Sequence, residues 1–128
     1  MAFQSRQYPP KGNNNPEVFT VDGLVITPAA DSVPVRTQGL GYTVAKVNTG
    51  RISITTEWTW DALISVTATA VTAAGAARLA QYKLSSASPT TRTFEIMTTD
   101  GSGSLAHMAA GDGFMFTAKF QASRLNSV

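Results

Sequence analysis

The chain has 128 residues and a mass of 13.5 kDa, which is the size of one domain with one hydrophobic core. Apolar residues make up 43% of it and charged residues only 14%, which excludes a disordered chain and predicts a surface that other molecules partly cover. The net charge of +2 comes from scattered basic residues and excludes an electrostatic nucleic-acid binder, while the absence of cysteine excludes disulfides and thiolate chemistry.

Residues 1–17 are predicted to form an extended N-terminal arm. Prolines, a glycine and a run of asparagines fill its second half, and such a composition sustains neither a helix nor a sheet ladder. The aromatic side chains of Phe3 and Tyr8, with Pro9 and Pro10, are candidate contacts to a neighbouring subunit. The alternative is a tail that lies against no partner.

From residue 18 onward the sequence predicts β-strands, because apolar and polar residues alternate. The first two strands, 18–21 and 24–27, are predicted to form a hairpin with a type I′ turn at Asp22-Gly23. A short edge strand that contains Pro34 follows, and then a second hairpin around the loop 48–50. The predicted strands after the first hairpin are 33–37, 42–47, 51–56, 63–71, 79–84, 91–97 and 114–120.

These eight or so short strands, with no long helix, predict an all-β fold for residues 18–128, an antiparallel β-sandwich of the jelly-roll type. The alanine-rich segment 73–77 is too short to nucleate a helix alone and is predicted to be a loop. Alternation within the strands predicts the core residues Ile52, Ile54, Ile64, Val66, Phe94, Ile96, Phe114 and Phe116.

No group of residues predicts catalysis, a metal site or a cofactor. Glu57 and Asp61 have a spacing that is ordinary for exposed carboxylates, whereas a glycosidase needs two carboxyl groups facing each other in a cleft. His107 follows Ser102 and Ser104, but these serines lie in a glycine-rich loop and not on the strained turn of a nucleophile. We therefore expect a protein that is not an enzyme.

A membrane protein is not expected either. No apolar run approaches the roughly 20 residues that span a bilayer, and the first residues lack the apolar core of a signal peptide. Trp58 and Trp60 are predicted either to close one end of the sandwich or to lie in a contact between subunits. The alternative is an aromatic platform for a sugar.

Three segments resemble small virion proteins of tailed bacteriophages. The hairpin Gly41–Thr55, GYTVAKVNTGRISIT, is similar to a recurring hairpin of these proteins, and the strand Leu63–Thr69, LISVTAT, is similar to the strand that follows there. The ending is similar as well, with MAAGDGFMF at Met108–Phe116 leading into the last strand. The order of the pieces carries the resemblance, which covers roughly residues 36–128 and leaves the N-terminal segment as an individual extension.

The resemblance implies a jelly-roll decoration, or cement, protein. Such a protein is assembled in the cytoplasm of the host bacterium and lies on the outer surface of the virion head, where it binds and bridges subunits of the major capsid protein. The resemblance also implies self-association, a dimer being favoured and a trimer possible, with no nucleic acid or membrane as partner. The residues expected at the interfaces are Phe3, Tyr8, Pro9, Pro10, Trp58 and Trp60. The alternative is a glycan- or receptor-binding virion module with the two tryptophans as stacking platforms.

Overall fold

Eight β-strands and no helix form the described part of the chain, residues 17–72 and 77–122 of a computed structural model. No helix there is long and apolar enough to cross a membrane. The predicted loop at 73–77 lies outside these residues except for Ala77. The strands are β1 (Val18–Ile26), β2 (Val35–Gln38), β3 (Tyr42–Asn48), β4 (Arg51–Thr56), β5 (Trp60–Val71), β6 (Arg78–Tyr82), β7 (Thr93–Asp100) and β8 (Gly113–Ala122).

The strands form two four-stranded antiparallel sheets, in the orders β2-β1-β8-β5 and β3-β4-β7-β6. The predicted all-β sandwich is therefore confirmed. In an eight-stranded jelly roll the first strand pairs with the eighth, the second with the seventh, the third with the sixth and the fourth with the fifth. Here only β1 and β8 follow that scheme, since β1–β2, β3–β4 and β6–β7 pair as hairpins. The connectivity is that of a sandwich with three hairpins.

The core lies between the sheets and is built mainly on β8. Alternation turns Phe114, Phe116, Ala118 and Phe120 inward, and all four are buried. Ile52 and Ile54 on β4 and Phe94 and Ile96 on β7 face them from the other sheet and are also buried, as predicted. The aromatic rings pack edge-to-face or tilted, with centroids about 5–6 Å apart, which is the favoured range for such pairs.

The predicted hairpin at Asp22-Gly23 is wrong, because residues 18–26 form one continuous strand. Asp22 and Gly23 pair with Thr117 and Phe116 in the middle of the β1–β8 ladder. The glycine is needed there for packing, since a Cβ atom at position 23 would collide with the ring of Tyr42. That ring is buried, and its hydroxyl donates a hydrogen bond of 2.6 Å to the carbonyl of Gln38.

The prediction that Ile64 is a core residue is also wrong, since the side chain is 50% exposed. The register of β5 against β8 shifts twice near the start of β5, the second time between Leu63 and Ser65. Ile64 is the extra residue of this bulge, so the inward face passes from Leu63 to Val66. Val66 packs partly buried against the core, as its predicted position requires.

Candidate interface at the Trp58 end of the sandwich

The sandwich has two ends with different chemistry. At one end β1 begins and the loop between β4 and β5 carries Trp58; we call it the Trp58 end. At the other end β1 finishes and the loop before β8 carries His107; we call it the His107 end. Glu57 and Asp61, the carboxylates considered for a glycosidase, are both exposed at the first end, and His107 lies at the second end, where the hydroxyl of Ser102 donates to Asp100.

Trp58 presents an aromatic surface at its end. The side chain is 54% exposed, and its ring packs edge-to-face against Phe19 with centroids 6.1 Å apart. The indole also lies against Gly41, where φ is +89° and a Cβ atom would collide with it. Leu40 is exposed and directly precedes Gly41, whereas the exposed Val18 alternates with Phe19 and faces the outer side of its sheet. We call the three side chains of Phe19, Leu40 and Trp58 the Trp58 patch.

Trp60 has a different environment although it is only two residues away. It is 2% exposed, and its ring centroid is 4.9 Å from that of Phe120 in the core. Its Nε1 donates to Oγ1 of buried Thr56 at 2.9 Å, and that hydroxyl donates in turn to the carbonyl of Trp58 at 2.8 Å. Trp60 thus closes the end of the core, and the two tryptophans do not form a two-ring platform.

Hydrogen bonds to two other loops hold the Trp58 loop in place. The amide of Glu57 donates to the carbonyl of Gly41 at 2.9 Å, and the guanidinium of Arg92 donates to the carbonyl of Glu57 at 3.0 Å. The amide of Thr56 donates to the carbonyl of Arg92 at 2.9 Å. A surface fixed in this way loses little conformational entropy when a partner covers it.

The predicted arm joins the sandwich at the same end. The carbonyl of Glu17, the first described residue, accepts a hydrogen bond of 2.7 Å from the amide of Ala122, and β1 begins at the next residue. The predicted interface residues Phe3, Tyr8, Pro9 and Pro10 lie outside the described residues. Of the interface residues predicted from the sequence, Trp58 is therefore the one that the structure places on the surface.

The apolar neighbours of Trp58 were not predicted from the sequence. Leu40 lies between Gly39 and Gly41, both with positive φ, and a lone leucine inside such a turn has no strand to turn it inward. That local pattern could have identified Leu40. The contribution of Phe19 could not have been found in this way, because it depends on β1 passing beside the β4–β5 loop.

The His107 end contains charged groups and a small cavity. Lys46 Nζ lies 2.6 Å from Asp31 Oδ1, and this hydrogen bond holds the pKa of the Asp31 carboxyl below its ordinary value. These two residues and His107 line a cavity of about 10 Å³, which has room for about one water molecule. Nowhere in residues 17–72 and 77–122 are three His, Asp or Glu side chains grouped to hold a metal ion.

The loop that follows β7 at this end is held by the carboxylate of Asp100. Asp100 Oδ1 accepts hydrogen bonds from the hydroxyl of Ser102 at 2.8 Å, the amide of Ser104 at 3.0 Å and the amide of Ser102 at 2.9 Å. These bonds lower the pKa of Asp100 below 3.8, so the stabilisation of the loop is present above that value and is lost as the pH falls through the folded-state pKa.

We expect the amide proton shifts of Ser102 and Ser104 to titrate with a midpoint below pH 3.8, measured by NMR. Asp100→Asn should remove that titration, because the carboxamide has no proton to gain in this range. A midpoint at or above the ordinary aspartate value in the native protein would contradict the hydrogen bonding described for this loop.

No known protein family matches the chain, and neither a curated protein nor a solved structure matches it. The resemblance to phage virion proteins is therefore carried by the sequence motifs alone. The function has to be argued from the sandwich, from the Trp58 patch and from the arm attached beside it.

Proposed function

We propose that the protein is a structural virion protein that binds the outside of a phage head as a decoration protein, where it bridges and stabilises subunits of the major capsid protein. The observation that supports this most is the position of the Trp58 patch. It is an exposed aromatic surface on a fixed loop, at the end of the sandwich where the predicted arm is attached. An arm and a patch that adjoin can act together on one partner surface.

The chemistry of the patch suits a protein partner. Tryptophan is among the residues that contribute most to protein interfaces, where its ring fills a pocket and excludes water. Few charges have to be desolvated when such a surface is covered, since only 14% of the residues are charged. The 17 residues of the predicted arm, when extended, would reach up to about 55 Å, far enough to contact a second capsid subunit.

A glycan- or receptor-binding virion module is the second candidate. The exposed ring of Trp58 favours it, because an aromatic ring can stack on a sugar. The burial of Trp60 weakens it, since only one ring of the pair is accessible. A glycan binder would be retained by an immobilised sugar and would occur in few copies on the particle.

Binding of the purified protein to phage heads that lack it tests the proposal. We expect saturable binding at hundreds of copies per head, and Trp58→Ala should weaken it at least tenfold, as the loss of an interface hot spot does. Leu79→Ala is the matched control, because Leu79 is also exposed and apolar but lies on β6 towards the other end. It should bind within about threefold of the native protein.

One result would refute the decoration role, and another would refute the assignment of the contact to Trp58. Native protein that does not bind heads at micromolar concentrations would refute the decoration role. Native-like binding by Trp58→Ala would leave that role intact and would move the contact away from the Trp58 patch. The unfolding midpoint of each variant in urea shows whether the fold has been kept.

A further inference from the structure

The Trp58 patch combines strong exposure with a fixed shape. Leu40 is 80% exposed and Trp58 is 54% exposed, and the partly buried ring of Phe19 lies beside the indole. The loops that carry Leu40 and Trp58 are joined by the hydrogen bond from the amide of Glu57 to the carbonyl of Gly41. Adjoining apolar side chains that are exposed to this degree usually mark a contact site. The patch therefore offers a preformed site to an apolar segment.

The chain before Glu17 leaves the sandwich beside this patch. The carbonyl of Glu17 is fixed by the amide of Ala122, and Phe19, two residues further on, belongs to the patch. Between Pro10 and Glu17 the sequence is Lys-Gly-Asn-Asn-Asn-Pro, and glycine and asparagine are residues that favour turns. Six extended residues reach up to about 20 Å. The segment that ends at Pro10 is therefore able to return to the patch.

The segment Tyr8-Pro9-Pro10 has the chemistry that such a patch binds. Consecutive prolines favour the polyproline II conformation, which is preformed and docks on surfaces lined by aromatic side chains. Three residues in that conformation cover about 9 Å. The rings of Phe19 and Trp58 have centroids 6.1 Å apart, and Leu40 adds to the surface that they form. The segment and the patch therefore match in length and in apolar character.

We propose that the segment Tyr8-Pro9-Pro10 docks on the Trp58 patch of the same molecule, with its proline rings against the indole of Trp58. The docked segment shields the patch in the free protein, and a partner that binds the patch has to displace it. The inference concerns the isolated chain in solution, so it does not depend on the capsid role.

Attachment to the same chain makes a weak contact sufficient. A short tether holds its two ends at an effective concentration in the millimolar range. The segment therefore covers the patch in at least half of the molecules if its dissociation constant as a separate peptide would be about 1 mM or lower. Phe3 is a poorer occupant, because it lies five residues further from the sandwich than Tyr8 and has no proline beside it.

The charges at this end are compatible with the contact. Arg6 and Lys11 are the charged side chains of residues 1–16, so this part of the chain is basic. Glu57 and Asp61 are exposed at the Trp58 end, whereas the guanidinium of Arg92 donates there to a carbonyl of the loop. Attraction between exposed charges is weak and is screened by salt, so it assists the docking while the apolar contact carries it.

Acrylamide quenching of tryptophan fluorescence in the full chain tests the inference. Each protein is compared with its Trp58→Phe counterpart, so that the signal of Trp58 is obtained by difference from that of buried Trp60. Replacing Tyr8, Pro9 and Pro10 together by alanine should raise the quenching constant of Trp58 at least twofold, because half or more of the native molecules are docked. Phe3→Ala is the matched control in the same arm and should leave the constant unchanged.

Two further measurements define the contact. In NMR spectra of the native chain we expect cross-peaks between the indole protons of Trp58 and the side-chain protons of Pro9 and Pro10. The quenching constant should be the same at protein concentrations of about 1 and 100 μM, because docking within one molecule does not depend on concentration.

Contrary results overturn the inference at identifiable points. Equal quenching of Trp58 in the native protein and in the triple-alanine variant, or the absence of the cross-peaks, overturns the docking. An increase in quenching with Phe3→Ala as large as that of the triple variant overturns the choice of Tyr8-Pro9-Pro10. Protection of Trp58 that appears only at the higher concentration overturns docking within one molecule in favour of the arm of another copy. The urea midpoint of each variant shows that the sandwich is folded.

Discussion

Phe116→Ala should lower the free energy of unfolding by about 3–5 kcal/mol, the usual cost of truncating a buried phenylalanine. The side chain is 3% exposed and packs edge-to-face on Tyr42, with ring centroids 5.0 Å apart. Phe94 approaches it from the opposite sheet at 6.1 Å. The cavity left by the substitution would lie between the two sheets, where strands fixed by hydrogen bonds on both sides cannot close it.

Met115→Ala is the matched control, because Met115 is the preceding residue of the same strand and faces outward. With 49% of its side chain exposed, its truncation should cost less than about 1 kcal/mol. Urea denaturation followed by circular dichroism measures both values. A large cost at Met115 with a small cost at Phe116 would mean that β8 is out of register by one residue, because such a slip exchanges the two faces.

The alternation of β8 and β4 made their inward faces predictable. Every second residue of Phe114–Phe120 is apolar, and the residues between include Thr117 and Lys119, which solvent accommodates. Ile52 and Ile54 alternate with polar residues in the same way. A period of two identifies the buried face whatever strand lies beside it, so these predictions needed no knowledge of the topology.

The two wrong predictions depend on contacts between distant residues. Asp-Gly is a turn signal in its local sequence, but Gly23 lies mid-strand because the ring of Tyr42, nineteen positions later, occupies the space of a side chain. Ile64 has the right spacing for the core until the bulge beside β8 shifts the face. Neither the position of the Tyr42 ring nor the bulge in β5 can be predicted from the residues next to them in the sequence.

The candidate interface was predictable only in part for the same reason. Trp58 and Trp60 are equivalent in the sequence, two apolar rings two positions apart. Their difference arises because Trp60 begins β5 and is carried over Phe120, while Trp58 lies in the loop and meets Gly41. Periodicity does not apply to a loop, so the exposure of its side chains follows from the loops that pack around it.

Truncation of the two tryptophans should therefore cost very different amounts of stability. Trp60→Ala should lower the free energy of unfolding by about 3–5 kcal/mol, because it empties the end of the core. Trp60→Phe keeps most of the packing but removes the donor to buried Thr56, and should cost about 1–3 kcal/mol. Trp58→Ala should change the free energy of unfolding by less than about 1 kcal/mol, since the residue is 54% exposed.

Binding to phage heads should depend on Trp58 and not on Trp60, the reverse of the expected effects on stability. At concentrations and temperatures where Trp60→Phe is fully folded, it should bind heads like the native protein, because its ring does not reach the surface. Trp58→Ala should remain folded and lose binding. Urea denaturation and head-binding titrations on the same preparations give both quantities for each variant. If Trp58→Ala unfolded as readily as Trp60→Ala, Trp58 would be a structural residue that closes the sandwich, and its exposed ring would not mark an interface.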